Sequence, residues 1–179
     1  MQVHISIPYR TDKNLGKAYN EAMARIPDGD AACFIDYDVQ LLTPDAGAII
    51  QKYAEIYPDA LLTCYTNRIS PLSARQLLLG IVSEDPDIRN HIRLAECQRN
   101  LNAYNVTPII RDISGFLMVI PKSLWQEHPF DDNGACLGVD TYYGRKIRAA
   151  GKQILRMDAL YVFHAYRLLQ GIGNKTHLL

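Results

Sequence analysis

The sequence lacks three features that would each place it quickly in a class of protein. Its 19 Lys+Arg balance 19 Asp+Glu, so no net charge is available to attract nucleic acid or an anionic membrane surface. No run approaches the roughly 18 apolar residues of a transmembrane helix. No G-x-G-x-x-G follows a strand-like segment, which argues against a dinucleotide-binding oxidoreductase.

Cysteine is scarce and scattered. No C-x-x-C pair occurs, and Cys33 and Cys64 lie inside apolar runs, so we expect buried free thiols in a reducing compartment. The first residues have the pattern of a strand, not of a charged and then apolar secretion signal. The expected location is therefore cytoplasmic, with no transmembrane segment and no nucleic-acid partner.

The chain does have enough apolar residues for one core. Hydrophobic residues make up 48% of its 179 residues, which suits a single α/β domain that needs no disulfide or metal to fold. It contains no low-complexity run, internal repeat or long linker. We expect one domain covering residues 1–179.

Short apolar runs alternate with helical patterns along the chain. The predicted strands are 3–8, 31–36, 60–65, 115–120, 154–155 and 160–163. The predicted helices are about 15–26, 46–57 and 139–150, and about 70–105 is predicted to be a largely helical, substrate-side insertion. This alternation predicts a Rossmann-like, mostly parallel sheet with helices on both faces and ligands at the carboxyl ends of its strands.

Two acidic residues stand at the end of the apolar run 31–36. Asp36 and Asp38 are two positions apart, so in extended backbone both would face one ion while Tyr37 packs behind them. Two carboxylates leave positions around Mn²⁺ or Mg²⁺ for phosphate oxygens and water. The alternative is a solvated loop that happens to carry two acids.

His164 follows the last apolar run and would also sit at a strand end. A neutral imidazole there could complete the metal site, although a lone histidine is more often structural. Arg167, three residues later, could meet a diphosphate through two N–H groups. Two glycines at 171 and 173 would let a C-terminal arm at 171–175 fold over that diphosphate, although two glycines near a terminus more often indicate disorder.

Taken together, these segments resemble family-2-like glycosyltransferases of the GT-A type. The opening of that family, including its DxD motif, is similar to VHISIPYR, NLGKAYNEAM and GDAACFIDYDVQLLTPD. Its donor-sugar strand, its Glu-Asp helix and its metal-dependent His-x-x-Arg end resemble SGFLMVIPKSLWQEHPFDD, GVDTYYGRKIRAAGK and LYVFHAYR. The resemblance covers most of the chain except the middle insertion and implies a GT-A fold.

The resemblance also implies roles for single residues. Asp36, Asp38 and His164 would hold the divalent metal. Asp140 would be the base that takes the proton from the acceptor hydroxyl, which inverts the anomeric centre; its alternative role is a helix N-cap. The residues that would line the nucleotide sugar are Pro8, Tyr9, Arg10, Asp36, Gly115, Phe116 and Arg167.

The sequence departs from the family pattern at two places. No second strand and helix fit between the first strand and Asp36, so the N-terminal nucleotide-binding half is shortened and base recognition is expected to fall on Pro8, Tyr9 and Arg10. In addition, Val139 replaces the glutamate that commonly precedes the base. The first departure leaves the nucleotide undetermined, and the second leaves Asp140 as the only acid at that place.

The expected function is therefore metal-dependent transfer of a hexose from a nucleotide-diphosphate sugar, with a UDP-sugar favoured, to a carbohydrate or other hydroxyl acceptor. One alternative is a degenerate, non-catalytic module that binds nucleotide or sugar. The other is a nucleotidyltransferase, which is less well supported because such enzymes cradle a triphosphate on a glycine-rich loop after the first strand, and residues 9–14 contain no glycine.

Overall fold

A computed structural model describes residues 1–69 and 71–170, except for the side chains of residues 71, 72 and 74. The predicted arm at 171–175 lies outside the described residues. The strands are β1 (Val3–Ser6), β2 (Ala31–Ile35), β3 (Val39–Leu41), β4 (Leu61–Thr66), β5 (Val106–Pro108), β6 (Leu117–Pro121) and β7 (Ile154–His164). The α-helices are α1 (Leu15–Ala24), α2 (Ala46–Ile56), α3 (Ile88–Asn102), α4 (Lys122–Glu127) and α5 (Val139–Ala149), and short 3₁₀ helices span Pro71–Gln76 and Leu78–Gly80.

The seven strands form one sheet in the order β1-β2-β6-β4-β7-β3, with β5 also paired to β7. Among the described strands only the β1–β2 and β4–β7 pairings are parallel, while β6 runs antiparallel to both of its neighbours. The prediction of a mostly parallel sheet is therefore wrong, and the sheet is mixed. Apolar periodicity shows which residues are buried, but it does not report the direction in which a strand runs.

Helices cover both faces of this sheet, as predicted. Successive side chains of β2 point to opposite faces, so Ala31 and Cys33 pack in one core cluster with α2, whereas Ala32 and Phe34 pack in a second cluster with α1 and α5. The chain is thus an α/β protein with helical layers around a central sheet. In the described ranges, no helix combines the length and apolar character needed to cross a bilayer.

The ends of four strands meet at one edge of the sheet. β2, β4 and β7 run in the same direction and finish there, and β6 begins there because Ile35 pairs with Leu117. The short strand β3 then places Val39 opposite His164. Residues that follow β2, β4 and β7, or precede β6, are therefore neighbours in space although they are far apart in sequence.

The middle of the chain is less helical than expected. Of the predicted helical range 70–105, only α3 is a long helix, and Asp87 caps it by accepting a hydrogen bond from the Arg89 amide at 3.0 Å. The strands β3 and β5, each of three residues, were not predicted. They exist because they pair with β7, and that pairing is a tertiary interaction that a local sequence pattern does not contain.

Candidate metal centre and adjoining clefts

The structure brings Asp36, Asp38 and His164 into one cluster. Their possible ligand atoms all lie within 4.8 Å of one another. The Nε2 atom of His164 is 3.2 Å from Oδ1 of Asp38 and 3.9 Å from Oδ2 of Asp36. The two acids follow β2, and the pairing of β3 with the end of β7 brings the histidine to them.

The hydrogen bond of the other ring nitrogen sets the protonation of His164. Its Nδ1 lies 2.9 Å from the backbone oxygen of Arg68, and a carbonyl oxygen can only accept, so Nδ1 carries the proton. In the neutral imidazole Nε2 then presents a lone pair toward the two carboxylates. This atom is buried and makes no hydrogen bond within the described chain. Such an orientation is typical of histidines that bind metal.

The donor set fits a divalent cation. Burial raises the pKa of Asp36 to about 6; His164 opposes this rise, whereas the carboxylates of Asp38 and Asp140 add to it. A cation among these groups would relieve both the burial of charge and the repulsion between carboxylates. Two carboxylates suit Mn²⁺ and Mg²⁺ alike, and the imidazole nitrogen favours Mn²⁺ of the two.

A third acidic side chain lies near the cluster and has a different environment. Oδ2 of Asp140 accepts a hydrogen bond from the Gly115 amide at 2.5 Å, and Oδ1 accepts one from the Thr141 amide at 2.8 Å. Burial raises the pKa of Asp140, and these backbone donors oppose that rise. Asp140 lies in the first turn of α5, and Gly138, not Asp140, is the N-cap of the helix.

Gly115 is required by the close approach of Asp140. A Cβ at position 115 would lie 2.7 Å from the Cβ of Asp140 and 3.2 Å from its Oδ2. Any side chain there would therefore push the carboxylate away from the amide that holds it. Gly115, two residues before β6, thus determines where Asp140 sits.

Two clefts adjoin the cluster. The first, of about 280 Å³, is lined by Asp36, His164, Gly115 and Asp140 among others. The second, of about 240 Å³, is lined by a set that includes Asp38 and Arg167. Tyr166 lines both clefts, so the two spaces lie on either side of this ring.

Tyr37 and Phe116 do not occupy their expected places. Tyr37 is 83% exposed and does not pack behind the acids, because Val39 N bonds to Asp36 O at 3.1 Å and the chain turns at 37–38 instead of remaining extended. Phe116 is fully buried and stacks on the ring of His164, with centroids 5.4 Å apart. Phe116 therefore packs against the ring of His164 and lines neither of the two clefts.

The loop after β1 carries three of the predicted nucleotide-binding residues. Pro8, Tyr9 and Arg10 line neither of the two described clefts. Tyr9 is 78% exposed, and the guanidinium of Arg10 binds the carboxylates of Asp12 and Glu21. The role of these three residues remains a prediction: β1 ends beside β2, but no described hydrogen bond or ion pair joins them to the acid–histidine cluster.

Three buried polar residues near the site were not predicted: Asn67, Arg68 and Gln76. The Asn67 carboxamide oxygen accepts a hydrogen bond from the His164 amide at 2.7 Å, and Gln76 bonds to both backbone polar groups of Ser114. The rule that drew attention to Asp36, polar residues directly after an apolar strand, applies equally to Asn67 and Arg68 after β4. Gln76 does not follow an apolar strand, so this pattern could not have identified it.

Comparison with known proteins adds no family, since neither a protein-family model nor a curated protein matches this chain. The fold and the site together define an α/β protein with a mixed sheet. At one edge of that sheet, two carboxylates and a histidine form a candidate metal centre, with a further, partly buried carboxylate in the adjoining cleft.

Proposed function

We propose that this chain is a metal-dependent glycosyltransferase of the GT-A type, of the hexosyltransferase kind, that moves a sugar from a nucleotide-diphosphate sugar to an acceptor hydroxyl. One observation carries the proposal: Asp36 and His164 of the candidate metal centre and the separate carboxylate of Asp140 line the same cleft. Transfer of this kind needs a cation at the leaving diphosphate and a base at the attacking hydroxyl. The motif resemblance of the sequence supports the same reaction.

The metal-side residues are Asp36, Asp38 and His164. When bound, Mn²⁺ or Mg²⁺ would neutralise the charge that develops on the leaving diphosphate. Asp36 lines the first cleft and Asp38 the second, so the cluster stands between the two spaces. This supports a donor whose diphosphate lies at the cluster, with Arg167 of the second cleft suited to phosphate oxygens.

Asp140 is the proposed base. Its carboxylate accepts the proton of the acceptor hydroxyl as that oxygen bonds to the anomeric carbon, and the bond from this carbon to the diphosphate oxygen breaks. Attack from the side opposite the leaving group inverts the anomeric centre. Burial raises the pKa of Asp140 toward the working pH, which strengthens it as a proton acceptor, and the Gly115 and Thr141 amides hold its orientation.

A second candidate function is a non-catalytic module that binds a nucleotide or a sugar. It is favoured by the position of β1, which forms the edge of the sheet with no further described strand beyond it to contact a nucleobase. The glycine-free loop after β1, in which Arg10 is occupied by two carboxylates, gives no comparable support to a nucleotidyltransferase.

Thermal unfolding with a panel of ligands tests the donor site. UDP, GDP, CMP and their sugars are each added with and without Mn²⁺ to the unsubstituted chain and to Asp38→Ala. At about 100 times Kd a ligand adds roughly 2.7 kcal/mol to the free energy of unfolding. We expect one nucleotide, with a UDP-sugar favoured, to raise Tm only with metal and only when Asp38 is present.

The matched control is Asp59→Ala, because Asp59 is exposed and lies between α2 and β4, at the opposite end of the strand from the cluster. It should retain the full shift. A shift that survives in Asp38→Ala contradicts the metal-dependent donor site. Binding without turnover of any nucleotide sugar favours the non-catalytic module.

A further inference from the structure

Arg68 is a fully buried guanidinium directly after β4, with 0% of its surface exposed. Its nitrogens donate to the backbone oxygens of Tyr166 at 2.8 Å, Arg167 at 3.1 Å and Ser83 at 3.2 Å, and Nη1 also pairs with Glu84 at 2.5 Å. A buried charge is costly unless its donors are satisfied. Two of these three carbonyls belong to the segment immediately after His164.

The backbone around Arg68 holds the histidine itself. The Arg68 carbonyl accepts the proton of His164 Nδ1 at 2.9 Å, and the side chain of Asn67 accepts the His164 amide proton at 2.7 Å. The peptide after β4 therefore fixes the tautomer of the ring, while the guanidinium fixes the chain on its C-terminal side. Together, these two sets of hydrogen bonds determine the direction in which the Nε2 lone pair of His164 points.

Gln76 makes a comparable set of bonds on the other side of the site. It is fully buried, and its Nε2 donates to Thr63 Oγ1 at 2.7 Å and to Ser114 O at 3.0 Å, while its Oε1 accepts from Ser114 N at 2.7 Å. Both backbone polar groups of Ser114 are therefore held by one side chain. The next residue, Gly115, donates the amide bond that holds Asp140.

We propose that Arg68 and Gln76 are positioning residues that act on two different parts of the site. The metal half is the acid–histidine cluster, and the base half is Asp140. Arg68 orients the His164 side of the metal centre, and Gln76 orients Asp140 through Ser114 and Gly115. This deepens the proposed function and rests on it for the role of Asp140, but not for the role of Arg68. The segment after β4, expected to be a substrate-side insertion, is then part of the framework of the site.

Substitution of Arg68 by lysine tests the metal half, since lysine keeps the charge but cannot reach three carbonyl oxygens from one planar group. The matched control is Arg156→Lys. Arg156 is also largely buried and donates to Asp158, Thr107 and the Arg75 carbonyl, but it has no contact with His164 among its hydrogen bonds and ion pairs.

We expect both variants to lower Tm, and only Arg68→Lys to weaken Mn²⁺ binding, by about tenfold or more in a calorimetric titration. Equal affinities in the two variants, whether both weakened or both unchanged, overturn the assignment of Arg68. A lower Tm of Arg68→Lys without weaker Mn²⁺ binding would mean that Arg68 only stabilises the fold.

Substitution of Gln76 by methionine, which is similar in shape but has no polar group, tests the base half. We expect kcat to fall about tenfold or more with the Mn²⁺ Kd and the donor KM unchanged, because Asp140 moves while the metal residues stay. An unchanged kcat, or an equal loss of Mn²⁺ affinity, overturns the assignment of Gln76.

Two measurements test the proposal without turnover, and the first of them needs no variant. Long-range ¹H–¹⁵N spectra of the metal-free, unsubstituted chain should show the Nδ1–H tautomer in the neutral imidazole of His164, and the Nε2–H tautomer would overturn the metal half. If the unsubstituted chain turns over no donor, the proposed function fails by itself. Amide exchange then decides the Gln76 half: faster exchange of the Gly115 N–H in Gln76→Met supports it, and unchanged protection overturns it.

Discussion

Nε2 of His164 faces Oδ1 of Asp38 at 3.2 Å while the proton of the ring is held at Nδ1 by the Arg68 carbonyl. When the imidazole is neutral, the two atoms that approach each other are both electron-pair donors. An arrangement of this kind is unfavourable by itself and becomes favourable when a cation lies between the donors. The relationship between these two residues is the main reason to regard the cluster as a metal centre.

Loss of the imidazole should weaken metal binding. We expect His164→Ala to bind Mn²⁺ at least about tenfold more weakly than the unsubstituted chain in a calorimetric titration, because one of three ligands is removed. His128→Ala is the matched control, since His128 ends α4 and is not in the cluster. Equal Mn²⁺ affinities in the two variants would mean that His164 is a structural histidine.

Neutralising the proposed base should separate binding from chemistry. Asp140→Asn is expected to reduce turnover of the donor by about 10² to 10⁴ while Mn²⁺ affinity is retained, because the amide cannot accept the proton of the hydroxyl. The control is Asp30→Asn, whose carboxylate pairs with His4 and accepts a hydrogen bond from the Gln2 amide at the opposite end of β2 from the metal cluster. This control should lose some stability and keep its turnover. Full activity of Asp140→Asn would exclude the proposed mechanism.

Adding one methyl group at position 115 should displace Asp140. Since the new Cβ would lie 2.7 Å from the Asp140 Cβ, we expect Gly115→Ala to lower turnover and the free energy of unfolding together. Gly47→Ala is the control. Gly47 is an exposed residue of α2 with open space where a Cβ would be, so alanine there should stabilise the chain by about 0.5 to 1 kcal/mol. Unchanged turnover in Gly115→Ala would mean that Gly115 does not position Asp140 for the reaction.

The raised pKa of Asp36 gives a pH dependence with a definite sign. Because the folded-state pKa of about 6 exceeds the ordinary aspartate pKa of 3.8, the protonated form favours folding. The contribution of this group to stability is therefore fully present below about pH 4 and is lost as pH rises through about 6.

Metal binding has the opposite pH dependence, since it requires the ionised carboxylate. Stabilisation by Mn²⁺ should be larger at pH 7.5 than at pH 5. In thermal unfolding at pH 7.5 without metal, Asp36→Asn should be at least as stable as the unsubstituted chain, with a gain below about 1 kcal/mol because the side chain is 44% exposed. With Mn²⁺, the unsubstituted chain should be more stable than Asp36→Asn. A metal-free variant that is clearly less stable contradicts this account of Asp36.

The strand ends were predictable from sequence, and the directions of the strands were not. Asp36 and His164 each follow an apolar run, and that pattern placed them at one edge of the sheet. Strand β6 has the same kind of apolar run as β2, yet it runs in the opposite direction. Pairing between distant strands decides direction, and no local pattern records it.

Side chains that act through the backbone were missed for a related reason. Arg68 bonds to the backbone of Tyr166, 98 positions away, and Gln76 bonds to the backbone of Ser114, 38 positions away. Their importance depends on which loops the fold brings next to them. Tyr37 was misplaced because the turn at 37–38 ends the extended alternation on which its prediction depended.

The central claim is tested most directly by release of nucleoside diphosphate from a panel of nucleotide sugars, measured with a mixture of hydroxyl acceptors, with and without Mn²⁺. We expect release from one donor, with a UDP-sugar favoured, that needs the metal and disappears in Asp38→Asn while Asp59→Asn retains it. Release that continues without metal and in Asp38→Asn, or no release from any donor with Mn²⁺ or Mg²⁺, would contradict a metal-dependent glycosyltransferase.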